Sequence, residues 1–383
     1  MLDEVLRSRR VVVCVGSGGV GKTTVSAALG LRAAMSGRKT LVLTIDPARR
    51  LANSLGLSTL GNVETRISEE QFQAAGLAPK GELWAMTLDL SRTWDDLITR
   101  YAPSPERREQ ILQNRLYRSL STQMAGSLEY MAMEKVYELE RTGGYDLVVL
   151  DTPPTAHALD FLDAPNRLLD LFSHDAARWL LGGVLGVGRV GLSLVHLGSS
   201  YVLKTLARFT GTELLRSLAE FFLAFQGMYD GFKERAAATK ELLAGPKSAF
   251  VLVTSPNPLT VDEAVFFAHE LARSEIHVAA GIVNRVHKDP LAQPGATEAP
   301  AIALALARER VPNDGRPFLS ERLETTVTEL SRLARRDRHE LQRFRTETRG
   351  AFPLEVVPRL ARDVHDLAGL WQLLEAMHDL DAP

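Results

Sequence analysis

The segment from Arg10 to Met35 constrains the fold more than any other. A β-branched run, Arg10 to Gly16 (RVVVCVG), leads into Gly-Ser-Gly-Gly-Val-Gly-Lys-Thr at residues 16–23 and then into an Ala/Leu-rich stretch, Lys22 to Met35, that stops near Gly37. Strand, glycine loop and helix in this order are the context that G-x-x-x-x-G-K-[ST] requires. Glycines let backbone N–H groups turn inward around phosphate oxygens, and the helix N-terminus adds partial positive charge. In such a loop Lys22 reaches the β- and γ-phosphates, and the Thr23 hydroxyl ligates magnesium. The same residues spell G-x-G-x-x-G at Gly16, Gly18 and Gly21, and Asp46 ends the next strand as a dinucleotide fold would want. Lys22 and Thr23 decide for the phosphate loop, because a dinucleotide site has no use for a lysine and a magnesium-ligating hydroxyl there.

Strand and helix signals alternate along the rest of the chain. Lys39 to Asp46 (KTLVLTID), Glu82 to Leu88, Tyr145 to Asp151 (YDLVVLD), Ser248 to Thr254 (SAFVLVT), Ile276 to Val283 (IHVAAGIV) and Leu354 to Val357 read as strands. Glu106 to Arg141 reads as mostly helical, and a last helix is expected from Asp363 to about Leu380. This pattern implies an α/β fold, a doubly wound, mostly parallel sheet with helices on both faces. Two regions interrupt it. Pro165 to Leu243 is rich in Leu, Phe and Gly without a good strand, and His287 to Pro317 is proline-punctuated like a surface excursion. At about 150 residues per domain, the 383 residues allow one large α/β domain with an insertion. The expected division is residues 1–164 with 246–383, and a helical insertion at 165–245.

Composition excludes several function classes. With 45 basic and 47 acidic residues the net charge is −2, which gives no support to bulk nucleic-acid binding. One cysteine, Cys14, cannot form an internal disulfide, a thiolate zinc site or a multi-cysteine metalloid site within one chain. The most apolar long stretch, Trp179 to Leu203, is cut by Arg189, short of the ~20 residues a spanning helix needs. No integral membrane segment and no targeting segment are read, so a cytoplasmic location is expected.

Two further acids follow hydrophobic strands: Asp46 in TIDPAR, and Asp151 in DTPPTAH. Both should emerge at the carboxyl edge of the sheet, where open α/β sheets bind ligands. One acid can hold a magnesium-bound water while the other orients or deprotonates the attacking water.

With these motifs in view, the chain resembles the arsenite-pump and guided-entry (tail-anchored protein targeting) ATPase family, within the larger group that includes the Min and Par ATPases. The resemblance covers Val11 to Pro165, and returns at Val251 to Glu263, at Gly281 to Val286 and from Pro358 onward. It implies ATP and magnesium as cofactors, and ATP hydrolysis coupled to dimer rearrangement. It assigns the phosphate loop to Gly16, Ser17, Gly18, Gly19, Val20, Gly21, Lys22, Thr23 and Thr24. It makes Asp46 the water-activating acid of a first switch and Asp151 the magnesium-side acid of a second. It puts Asn284 at the adenine and Pro358 at the start of an adenine-side loop. Three positions depart from the family. Ser17 stands where the signature lysine normally reaches across a dimer, position 49 is Arg where the targeting ATPases usually carry His, and no C-x-x-C pair exists. A slow homodimer, or a heterodimer with a lysine-bearing paralogue, follows as the expectation.

Within the helical middle, Leu214, Leu218, Phe221, Phe222, Phe225 and Met228 recur at three- and four-residue spacing, so they share one helix face. Core packing is one reading of that face. The resemblance suggests another, a groove for a hydrophobic protein or lipid client, with peripheral membrane attachment in prospect. The alternative function is a nucleotide-switched positioning ATPase of the Min/Par type. The last helix carries Glu375, Asp379 and Asp381, so core packing suits it better than membrane anchoring.

Overall fold

The computed structural model describes residues 2–46, 50–114, 117, 118, 121, 127–153, 221, 228–292 and 316–380. Its strands are β1 (Val11–Val15), β2 (Lys39–Thr44), β3 (Thr65–Arg66), β4 (Glu82–Thr87), β5 (Leu147–Asp151), β6 (Ser248–Thr254), β7 (Val278–Val286), β8 (Leu354–Pro358) and β9 (His378–Asp379). The helices among the described residues are α1 (Leu2–Ser8), α2 (Lys22–Met35), α3 (Arg50–Ser54), α4 (Glu69–Ala74), α5 (Leu90–Tyr101), α6 (Pro105–Gln113), α7 (Ser127–Thr142), α8 (Tyr229–Ala244), α9 (Pro258–Arg273), α10 (Arg316–Glu347) and α11 (Leu367–Ala376).

The strands form one sheet in the order β3-β4-β2-β5-β1-β6-β7-β8-β9. Every pairing from β4 to β8 is parallel, and the two-residue strands β3 and β9 close the edges antiparallel. β1 is central because its β-branched residues are buried on both faces. Val11, Val13 and Val15 join one hydrophobic core while Val12 and Cys14 join the other, as the two-residue period of a strand requires. From β1 the chain winds first toward β2 and β4, returns at β5, and then winds the other way through β6, β7 and β8. The order therefore reverses beside β1, the place where such sheets open a binding crevice at their carboxyl ends.

Some boundaries differ from the sequence expectation. β7 starts at Val278 and continues through Asn284 to Val286, because pairing with β8 carries the ladder past the apolar run. The last helix is shorter than expected. Asp366 caps it by accepting from Gly369 N at 2.7 Å, and the chain then turns into β9, which pairs with β8. Its Leu370 and Leu374 are buried, and α11 packs against α2. The sequence reading did not anticipate α1, β3 or the 32-residue α10. Of the insertion, only Phe221 and the stretch from Met228 onward are described. Phe221 is 2% exposed and Met228 3%, both inside a hydrophobic core. Leu214, Leu218, Phe222 and Phe225 lie outside the described residues. Among the described residues no helix is long and apolar enough to cross a membrane.

Candidate nucleotide site

The site is built where β1, β2, β5 and β7 end. β1 stops at Val15, and Gly16 turns so tightly past β6 that a Cβ there would stand 2.0 Å from the Val253 carbonyl oxygen. Only glycine permits that approach. Gly21 then caps α2 in the left-handed region at φ 96°. Lys22 begins the helix and folds back over the loop, its Nζ donating to the Gly16 and Ser17 carbonyls at 2.8 Å each. The lysine is 6% exposed. Burial holds its ammonium below the usual lysine range, opposed chiefly by the negative charge of Asp151.

Asp151 is the last residue of β5 and sits between Thr44 on β2 and Cys14 on β1. It is 0% exposed. Thr44 Oγ1 donates to its Oδ2 at 2.8 Å, whereas Oδ1 is buried without a hydrogen-bond partner. Burial pushes the carboxyl up to about 6, and the Thr23 and Thr44 hydroxyls and Lys22 restrain that rise. A buried, unpartnered carboxylate oxygen beside a phosphate loop suits a hard cation or its bound water. Thr23, which follows Lys22 on α2, and Asp151 are thus the residues that fit magnesium.

Asp46 lies two residues beyond β2. Its N–H donates to Thr44 Oγ1 at 3.2 Å, and its Oδ2 is 3.7 Å from Arg50 Nη1. One threonine therefore links the two acids, donating to Asp151 and accepting from the Asp46 backbone. Pro47, Ala48, Arg49 and Pro154 to His157, the remainder of both switch motifs, lie outside the described residues. Thr152 is described, and its Oγ1 donates to the Cys14 carbonyl at 2.8 Å, tying the β5 exit to β1. Cys14 itself is wholly buried, and burial pushes its thiol up to about 12.

Asn284 is brought to the phosphate loop, where its Nδ2 donates to the Val20 carbonyl at 2.8 Å. Pro358 is the last residue of β8 and pairs with Val286. Sequence reasoning missed the next residue, Arg285, whose Nη1 donates to the Gly19 carbonyl at 3.0 Å. Ser17 is buried, and its Oγ has no hydrogen-bond partner.

Residues 9–178, which contain the phosphate loop and both acids, match the anion-transporting ATPase family. The likeness is to that segment of the 383-residue chain. An ATPase GET3 of Podospora anserina is 24% identical over 291 residues, covering 75% of this chain and 75% of that protein. A protein of Aquifex aeolicus that bears the name arsenical pump-driving ATPase 1 is 26% identical over 292 residues, 74% of this chain and 65% of the relative. An arsenical pump-driving ATPase of Prosthecochloris vibrioformis is 34% identical over 161 residues, 42% of this chain and 36% of that one. The match thus spans between about a third and two thirds of the arsenical-pump relatives' length.

Proposed function

We propose that the chain is a magnesium-dependent ATPase whose turnover is coupled to rearrangement of a dimer and to handling of a hydrophobic client, a membrane-protein segment or a lipid. The observation that carries the ATPase reading is Asp151, buried with one unpartnered oxygen beside Lys22 at the mouth of the glycine loop. Bound magnesium-ATP would supply the phosphoryl group and the cation that neutralises it. Gly16 to Thr24 would cradle the phosphates with backbone N–H groups. Lys22 would exchange its two loop carbonyls for phosphate oxygens, and Thr23 and Asp151 would hold the metal, Asp151 through water. Asp46 would orient and deprotonate the attacking water. The test is Asp46→Asn, expected to abolish turnover while leaving ATP affinity within a few-fold, set beside Lys22→Ala, expected to weaken binding itself. Wild-type turnover in Asp46→Asn would remove that residue from the mechanism.

The dimer and client readings draw support from the likeness to ATPase GET3 and from Ser17. A serine cannot deliver the charge that the family's signature lysine carries across a dimer. Ser17→Lys is expected to raise turnover and ATP-dependent pairing if the chain pairs with itself. Fast hydrolysis by the unmodified chain as a stable monomer would refute the account. The client-binding unit we assign to residues 165–245. Binding of an apolar fluorescent probe that changes with ATP supports that assignment, and probe binding indifferent to nucleotide counts against it.

A further inference from the structure

The end of β7 carries a local irregularity that the nucleotide reading alone does not explain. Asn284 pairs with Val357 and Val286 with Pro358, so Arg285 is the extra residue of a bulge in the β7–β8 ladder. Its φ is 63°, in the left-handed region, although it is not glycine. Such a conformation is unfavourable for a residue with a Cβ and persists only where surrounding contacts hold it. Bulges re-aim side chains, often beside active sites. Here the bulge is fastened by the Asn284 side chain, whose Oδ1 accepts from Arg285 N at 2.9 Å. The result is a pair of adjacent donors on one side of the phosphate loop: Asn284 on the Val20 carbonyl and Arg285 on the Gly19 carbonyl.

Peptide planarity gives that pair a consequence. In a trans peptide the C=O of one residue and the N–H of the next point in opposite directions. Holding the Gly19 carbonyl toward β7 turns the Val20 N–H away from β7, and holding the Val20 carbonyl does the same to the Gly21 N–H. Among the described residues neither of these N–H groups donates to a backbone carbonyl.

We propose that Arg285 is a positioning residue of the nucleotide site: with Asn284 it forms an outer clamp that presets the Val20 and Gly21 N–H groups toward bound phosphates. The proposal rests on the nucleotide-site reading, but its structural half can be tested apart from it. Because Arg285 grips the loop rather than the γ-phosphate, its loss should weaken ATP and ADP alike and leave the chemical step alone.

The test compares Arg285→Gly, Arg285→Ala and Arg285→Lys with wild type. Glycine relieves the left-handed backbone, so Arg285→Gly should melt no lower than wild type, which separates lost binding from lost folding. Magnesium-ATP and ADP affinities, read by titration calorimetry, should each fall about tenfold in the Gly and Ala variants, as expected for one charge-assisted hydrogen bond. KM should rise by a similar factor with kcat within about twofold. Arg285→Lys, which keeps a charged donor, should recover most of the affinity. Affinities within twofold of wild type in the Gly and Ala variants would overturn the clamp, as would a loss confined to ATP. A nucleotide-free crystal structure of Arg285→Gly gives the second measurement. A turned or disordered Gly19–Gly21 backbone supports the clamp, and an unchanged loop overturns it. If wild type fails to bind magnesium-ATP, the ATPase reading falls while that crystal structure still decides the clamp.

Discussion

Replacing Asp151 by Asn separates what the buried carboxylate costs the fold from what it gives the site. An acid with an ordinary value of 3.8 that stands at about 6 in the folded chain binds more protons folded than unfolded. It therefore lowers stability as pH rises through that interval, and the loss is complete above it. The penalty is about 2 kcal/mol at pH 5 and about 3 kcal/mol at pH 8. Asp151→Asn keeps the shape and removes the penalty. The attraction of the Lys22 ammonium is already counted in that penalty, because it restrains the rise to about 6. The cleaner quantity is the growth in the variant's advantage from pH 5 to pH 8, on the order of 1 kcal/mol, which follows the ionisation of the carboxyl over that interval. Thermal melts without nucleotide should show the melting-point difference, variant minus wild type, increase by roughly 1–2 °C between those pH values. The same variant should lose magnesium-dependent nucleotide affinity at least tenfold. A difference independent of pH, or one that shrinks toward pH 8, would refute the argument that Asp151 is held ionised against its burial.

Three other substitutions test neighbouring parts of the structure. Gly21→Ala places a Cβ 2.3 Å from Asn284 Nδ2 at a left-handed position. It should cost at least about 1 kcal/mol in urea unfolding and most of the nucleotide affinity, and wild-type affinity would contradict the clamp geometry. Glu134→Ala strands Arg235, whose Nε lies 2.7 Å from Glu134 Oε1 with both side chains buried. It should destabilise by about 3–5 kcal/mol, and a loss below about 1 kcal/mol would show that the Tyr101 ring, 3.7 Å from the guanidinium carbon, suffices. Cys14→Ala should keep turnover and fold, and the native thiol, buried and held protonated to about 12, should resist maleimide. Stoichiometric labelling of the native chain would refute that.

The sheet was legible in the sequence because its strands are buried on both faces and so read as unbroken β-branched runs, VVVCV and LVVLD being the plainest. The phosphate loop and both acids were legible for a related reason: each immediately follows such a run. What escaped notice lacks a local signal. β3 is two residues long and exists through its pairing with β4. α10 is crowded with arginine, and its buried Val327, Ala334, Leu341 and Phe344 are spaced too sparsely to stand out. The Arg285 contact was invisible because it needs a bulge set by β8, a distant strand. The same holds for Phe221 and Met228, whose helical spacing cannot distinguish an open groove from the core that encloses both residues.

The phosphate loop and the side chain that grips it are 264 residues apart in the chain. A ribosome adds about 5–20 residues per second, so roughly 13–50 s pass between synthesis of Val20 and synthesis of Asn284. β1 waits during the same interval, first for β5 and then for β6. The motif is synthesised well before β6 and β7, the strands that complete its framework. The loop therefore takes its final shape only once β6 and β7 have docked against it.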